Sequence, residues 1–357
     1  MTRFLIVRLG ALGDIVHAIP VAAALRRAYP DARIDWLVSA KHREMLDLVP
    51  VIDRRLVIND RLSTVRQPVR SRQERPGGSS MLAAIGELRA AKYEIAIDLQ
   101  GLIKSALLAR ASGAVRVVGF SAAYARERFA RLFYSDVYDP GRGGLYDPRE
   151  TRHVVEINLG VLTTIGLTAG RAEFPIDDVA SAAAREARER TRGRYALLNP
   201  GAAWPNKRWP PARLAEVARA LRDRHDLMSV VLWGPGEESL ARDVVASADG
   251  AAILSPPTSI ADIVALCRGA ALMVSGDTGP AHIASAVGAA VVGIYGPTRP
   301  ARNGPLSPHD VTVSRDAVCQ CHHLRRCVRD RMCLLDIEVA EVAAAVERRL
   351  AAEARRA

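Results

Sequence analysis

The chain has 357 residues, enough for about two domains that each bury a core of their own. With 49% hydrophobic and 25% charged residues, no uncharged apolar run of about 18 or more and no signal-peptide pattern, it reads as a folded cytoplasmic protein rather than a membrane-spanning or secreted one. Fifty Lys and Arg against 39 Asp and Glu leave a net charge of +11, which favours anionic partners (nucleotides, phosphorylated sugars, nucleic acid or an anionic membrane surface) without choosing among them.

In chain order, apolar runs predict strands over 4–8, 33–38, 94–99 and 115–119, with helices over 15–28, 81–91, 103–111 and 153–165. Pro20 lies inside the first of these helices, so that helix is either kinked or begins there. Residues 166–180, with Pro175, form a connection into an Ala/Arg/Glu helix and a second series. Its strands are predicted over 195–199, 228–233, 271–275 and 291–295, and its helices over 211–224, 238–247, 260–267 and 280–287. A last amphipathic helix is expected over 337–355.

Continuous apolar strands separated by helices mean a parallel sheet covered on both faces. The fold class is therefore α/β, with one doubly wound architecture repeated in two Rossmann-like domains facing a central ligand cleft at the strands' carboxyl ends. The expected boundaries are 1–175, 176–335 and a terminal helical segment, 336–357.

Arginines cluster twice. Arg61, Arg66, Arg70, Arg72 and Arg75 precede Pro76-Gly77-Gly78-Ser79-Ser80 and read as a solvated loop, whereas Arg110, Arg116, Arg126, Arg128 and Arg131 sit among strand and helix signals and make the better binding surface. Four of five cysteines fall together as Cys319, Cys321, Cys327 and Cys333, with His322 and His323 between them. This C-x-C-x5-C-x5-C spacing does not match the paired C-x2-C of common zinc sites, so reduced thiols in a C-terminal loop are the first reading and a metal or redox role the second.

Four stretches follow strands, where an open α/β sheet binds ligands. Gly10-Ala11-Leu12-Gly13-Asp14 turns tightly, and Asp14 either caps the next helix or projects into the cleft; G-x-x-G is not the dinucleotide fingerprint. In Asn199–Pro210, Lys207 and Arg208 stand before a helix begun by proline, as suits a diphosphate, although a charged surface loop is the plainer alternative. After Trp233-Gly234, Glu237 or Glu238 can accept both ribose hydroxyls or serve as an ordinary first-turn carboxylate. Asp277-Thr278-Gly279-Pro280 presents backbone N–H groups at a helix start, with His282 one turn on. A D-T-G triplet also marks aspartic proteases, but the second copy and the all-β pattern are missing.

Taken together, these stretches resemble the bacterial lipopolysaccharide heptosyltransferases, most closely heptosyltransferase I. The resemblance runs through Gly10–Ile15, Asp98-Leu-Gln100-Gly101-Leu-Ile-Lys104-Ser105, Ala125-Arg126-Glu127, Lys207 before Trp209-Pro210, Trp233-Gly234, Ser275–His282 and Tyr295-Gly296-Pro297-Thr298. It implies a GT-B fold, with the acceptor on the N-terminal domain, an ADP-heptose donor on the C-terminal one, and the last helix crossing back.

It also implies roles. Asp14 matches the general base. Lys207, Arg208, Glu238 (with Glu237 as second choice), Thr258, Asp277, Thr278, Gly279 and His282 match donor-side positions. Arg8, Gly13, Gln100, Lys104 and Arg126 match acceptor-side positions, where cations suit Kdo carboxylates and lipid A phosphates. Ala202 and Ala203 stand where some relatives carry hydroxyl residues, so donor contacts there would come from backbone.

The implied reaction is an inverting, metal-independent transfer with no cofactor beyond the donor, onto a lipid A–Kdo acceptor, with peripheral contact at the cytoplasmic face of the inner membrane. Two rivals stand beside it. A sugar-nucleotide 2-epimerase would need no acceptor, and a nucleic-acid-binding module would show a stacking platform or motif that this chain lacks.

Overall fold

The apolar runs become the inner strands of two six-stranded parallel sheets. The computed structural model describes residues 1–59, 81–141, 143–319, 321 and 324–355. Arg61, Arg66, Arg70, Arg72, Arg75, residues 76–80, His322 and His323 lie outside the described residues.

The chain divides into two units, Met1–Asp177 and Asp178–Ala357. The first holds β1 (Arg3–Val7), α1 (Leu12–Val16), α2 (Ile19–Ala28), β2 (Arg33–Ser39), β3 (Arg54–Ile58), α3 (Met81–Ala91), β4 (Ile95–Asp98), α4 (Ile103–Ala111), β5 (Arg116–Phe120), β6 (Asp136–Tyr138) and α5 (Val154–Gly160). The second holds α6 (Ala182–Arg190), β7 (Tyr195–Asn199), α7 (Pro211–His225), β8 (Met228–Val231), α8 (Glu238–Ser247), β9 (Ala252–Leu254), α9 (Ile260–Gly269), β10 (Leu272–Gly276), α10 (Gly279–Ala286), β11 (Val291–Tyr295), α11 (Pro300–Asn303), β12 (Val311–Ser314) and α12 (Val339–Ala354).

Strand order is β3-β2-β1-β4-β5-β6 in one sheet and β12-β11-β10-β7-β8-β9 in the other, the same winding read from opposite edges. In each, the order reverses between two central strands, β1 and β4 or β7 and β10, and the crevice beyond such a pair is where doubly wound sheets bind ligands. Buried Phe4, Leu5, Ile6 and Val7 on β1, and Leu197 and Leu198 on β7, fill these centres because helices cover both faces.

Pro20 resolves into a start rather than a kink. His17 and Ala18 break the helical run, and Pro20 falls in the first turn of α2, where its missing N–H leaves no bond unmade. The closing helix belongs to the second unit, which differs from the expected crossing of residues 336–357 back to the N-terminal domain. The reason is its apolar stripe. Val342, Ala345 and Val346 enter the second unit's core, and buried Arg349 pairs with Asp310 at 2.8 Å, whose Oδ1 also accepts from the Val291 N–H.

Candidate active site

At the β1/β4 switch point, Arg8 leaves the end of β1 almost fully buried and donates to the Leu99 carbonyl beyond β4. The Leu9 N–H donates to Gln100 Oε1 at 2.7 Å, so Gln100 locks the two strand ends together. Asp14 then gathers three donors. Arg8 Nη2 lies 2.8 Å from Oδ1, while Oδ2 accepts from Arg126 Nη2 at 2.8 Å and from the Ala11 N–H at 3.1 Å. Asp14 caps the first turn of α1, and its carboxylate stands 22% exposed between two guanidinium groups.

Burial opposes ionisation of Asp14, yet the charges of Arg8 and Arg126 outweigh it and hold the carboxyl well below the ordinary carboxylate range. Burial, against the pull of Asp14, pushes Arg8 down to about 10. The result is an ionised, weakly basic carboxylate with surplus positive charge beside it.

Two glycines make this geometry possible. A Cβ on Gly10 would lie 2.6 Å from the His42 ring, so a larger residue there would force that ring to shift. Gly101 has φ +68° and lets the Arg126 backbone approach: its carbonyl accepts the Glu127 N–H at 2.9 Å, and a Cβ would lie 3.1 Å from Arg126 N. Glu127 Oε2 in turn accepts the Ile103 N–H at the start of α4, which clamps the Ala125-Arg126-Glu127 segment. Gly13 is buried within α1, and Lys104 is half-buried in the first turn of α4.

Residue-by-residue reasoning missed Asp98. Fully buried, it accepts from the Gln100 and Gly101 N–H groups with Oδ1 and from the Ser105 and Tyr134 hydroxyls, both at 2.8 Å, with Oδ2. It shapes the loop that aims Gln100 and receives Arg126. Its sequence signal was the polar residue closing an apolar strand just before Gln100-Gly101.

In the second unit all strands run parallel, so the loops after β7, β8, β9 and β10 emerge on one edge. Across the β7/β10 switch point, Lys207 Nζ meets Asp277 Oδ2 at 2.6 Å and His282 Nε2 donates to Asp277 Oδ1 at 2.9 Å. Burial opposes ionisation of Asp277, but the His282 hydrogen bond and the Lys207 charge hold it well below the ordinary range. Lys207 also lies 4.5 Å above the Trp204 ring, a cation–π contact.

Asn199 Nδ2 bonds Ser275 Oγ and Thr278 Oγ1, and Thr278 caps α10 by accepting the Ala281 N–H. A Cβ on Gly276 would lie 2.9 Å from the Lys207 carbonyl, so this glycine admits the lysine loop. Arg208 Nε donates to the Ala202 carbonyl at 2.8 Å, which already occupies one backbone acceptor in that loop. Thr258 is half-buried in the loop after β9, just before Ser259, the cap of α9.

The two glutamates separate. Glu238 pairs with Arg242 along the exposed side of α8 at 2.6 Å, whereas Glu237 turns back against Gly201, its Oε2 accepting the Gly234 N–H at 3.2 Å. Geometry thus places Glu237, not Glu238, against the strand-end loops of β7 and β8.

A lipopolysaccharide heptosyltransferase 1 from Pseudomonas aeruginosa is 28% identical over 328 residues, 89% of this chain and 85% of that one. The protein of the same name from Escherichia coli K12 is 27% identical over 310 residues, 84% of this chain and 89% of that one. Among solved structures, the glycosyl transferase family 9 protein of Veillonella parvula superposes with a TM-score of 0.75 at 22% identity, covering 98% of this chain and 97% of that one. The E. coli heptosyltransferase WaaC with ADP superposes with a TM-score of 0.70 at 22% identity, covering 97% of each chain, so the fold is GT-B. The profile of glycosyltransferase family 9 (heptosyltransferase) matches residues 81–332, well over half the chain, and the protein belongs to that family of glycosyltransferases.

Proposed function

We propose that the protein transfers L-glycero-D-manno-heptose from ADP-heptose to the Kdo, or the first heptose, of the lipopolysaccharide inner core, with inversion at the anomeric carbon. The observation that carries this reading is the Asp14 carboxylate bracketed by Arg8 and Arg126 in a chain of this family.

Asp14 takes the proton of an acceptor hydroxyl as that oxygen attacks the anomeric carbon and the bond to ADP breaks, its electron pair passing to the diphosphate. In the free protein both oxygens of Asp14 are engaged and its basicity is low. Arg126, with a side chain 32% exposed, is the guanidinium that an acceptor carboxylate or phosphate can draw away, while Arg8, at 4%, stays. Losing one neighbouring cation makes Asp14 a stronger base only when acceptor is bound. Gly13, Gln100 and Lys104 border the same acceptor surface.

On the donor side, Lys207, Arg208 and the Gly279 N–H at the start of α10 meet the charge growing on the leaving diphosphate, so no step calls for a metal. Asp277 orients Lys207 and His282, Thr278 fixes the α10 start, Thr258 borders the nucleotide, and Glu237 rather than Glu238 receives the ribose hydroxyls.

The acceptor implies work at the cytoplasmic face of the inner membrane. No helix among the described residues is long and apolar enough to cross a membrane. Support for peripheral contact comes from Phe129 and Leu132, 54% and 74% exposed beside Arg128 and Arg131, an arrangement suited to an anionic lipid surface.

Incubation with ADP-heptose and Kdo-lipid A, read by product mass, tests the reading. The acceptor should gain one heptosyl residue as ADP appears. Donor conversion without any acceptor would establish the epimerase chemistry instead, and no product on Kdo or heptosylated acceptors would overturn the transfer.

A further inference from the structure

The loop between β6 and α5 has no part in the proposed reaction, yet it is held more firmly than a connector at a sheet edge needs. Because the strands of the first sheet run parallel, this loop leaves on the same edge as the loops after β1, β4 and β5, which carry Asp14, Gln100 and Arg126. The Ser121 N–H donates to the Tyr138 carbonyl at 2.8 Å, so the loops after β5 and β6 start side by side.

Arg152 closes the loop on itself. Its Nη1 donates to the Pro140 carbonyl at 2.7 Å, near the beginning, and its Nε to Glu150 Oε1 at 2.8 Å, near the end. Its Nη2 reaches the Tyr124 hydroxyl at 2.8 Å, and that hydroxyl donates to Glu150 Oε2. Tyr124 and Glu150 are both buried. Hydrogen bonds from Arg152 hold Glu150 down to about 2, and burial together with Glu150 pushes Tyr124 up to about 12, so near neutral pH the carboxylate stays charged and the phenol stays a donor. A polar network satisfied in this way rigidifies the backbone that carries it. A second anchor lies between the loop's ends. Leu145, itself buried, donates its N–H to the Ala123 carbonyl at 2.9 Å, and a Cβ on Gly144 would lie 2.9 Å from that same oxygen, so the glycine admits the contact.

What this scaffold presents is Tyr146. It follows buried Leu145 and stands 50% exposed. The charges after it are paired within the loop, Asp147 with Arg149 at 2.8 Å and Glu150 with Arg152, so position 146 offers an aromatic ring on a locally neutral stretch. Ala123, to which the loop is tied, lies three residues before Arg126. Asp14 is the chief group that raises Arg126 above its ordinary range, and Tyr146 is among the lesser ones, in keeping with a phenol close to that guanidinium. A rigidly held tyrosine beside an accessible cation is the combination of apolar face and placed polar group that small-molecule sites use.

We propose that Tyr146 is an acceptor-binding residue whose ring packs on the face of the anionic sugar that Arg126 holds. This rests on the proposed transfer reaction and adds a source of acceptor specificity to it. A pyranose ring carries C–H groups on its faces and its charged substituent at the rim. The aromatic face covers the first while the guanidinium takes the second, so the pair selects a ring-shaped anion over a bare phosphate or carboxylate, a distinction that two arginines alone do not make.

The test is steady-state kinetics of the full chain with ADP-heptose and Kdo-lipid A. Tyr146→Ala should raise KM for the acceptor about five- to tenfold, with kcat and the KM for ADP-heptose within about twofold and the melting temperature within about 2 °C. Tyr146→Phe should keep the acceptor KM within about twofold of the unaltered chain, because the ring and not the hydroxyl makes the contact. An unchanged acceptor KM in Tyr146→Ala, measured against an active unaltered chain, overturns this inference and leaves the transfer reading standing. No product from the unaltered chain overturns both. A Tyr146→Phe loss as large as that of Tyr146→Ala, or a donor KM that rises in step with the acceptor KM, also overturns the stacking contact, since the first assigns the effect to the hydroxyl and the second to a general loosening.

Discussion

The two units share one winding order and each places a depressed carboxylate at its switch point, but they load that carboxylate differently. Asp277, with a side chain 5% exposed, is matched by one lysine and one histidine. Asp14, at 22%, is outnumbered by two arginines, one of them exposed enough to be drawn away. A buried, balanced carboxylate is an organiser that keeps the side chains around it in place. An accessible, over-compensated one can change basicity when an anion arrives, which is what the proposed base would require.

The largest test of that contrast is Asp14→Asn. We expect kcat to fall about 10³-fold while ADP binding by calorimetry stays within twofold, because the proposed proton acceptor is lost along with its ion pairs to Arg8 and Arg126, none of which is a proposed donor contact. Turnover near the original rate would remove Asp14 as base and leave it as a helix cap. Lys207→Met should come next, lowering kcat/KM about 10²-fold and weakening ADP binding, since a donor meeting the leaving diphosphate is removed. Arg126→Gln should raise KM for acceptor about tenfold without moving ADP affinity; an equal effect on both ligands would break the division between the two units.

The pH dependence of stability separates the organiser further. The folded-state pKa of Asp277 is lowered, so its contribution is present above the unfolded value of about 3.9 and is lost as pH falls through the lower folded value. The stability gap between the unaltered chain and Asp277→Asn, by urea melts, should therefore shrink below about pH 4 and be constant above about pH 5. The smallest effect distinguishes the glutamates. Glu237→Gln should weaken ADP binding about five- to tenfold, and Glu238→Gln less than twofold, because Glu238 is engaged by Arg242 on a solvated helix side.

The runs legible in the sequence became β1, β2, β4, β5, β7, β8, β10 and β11, all interior strands. The four that sequence patterning passed over, β3, β6, β9 and β12, are the four sheet edges. An edge strand needs only three to five residues here and tolerates charge, as in Arg54-Arg55 and Asp136, so it leaves no continuous apolar run. Asp14, Lys207, Asp277 and His282 were legible for a related reason: loops after central parallel strands are where polar residues break an apolar pattern.

What the sequence determined by itself was the repeated α/β alternation, the positions of the strand-end loops and the chemical types within them, because burial on both sheet faces and the demands of tight turns act locally. Tertiary structure alone decided which groups meet. Arg126 reaches Asp14 across 112 positions, Lys207 reaches Asp277 across 70, and α12 pairs Arg349 with Asp310 across 39. Glu237 and Glu238, adjacent and chemically identical, part ways because one faces a glycine loop and the other an arginine one turn along its helix. Such choices depend on close packing between elements distant in sequence, where a missing Cβ or a single buried charge sets the partner, and no pattern along the chain encodes that distance.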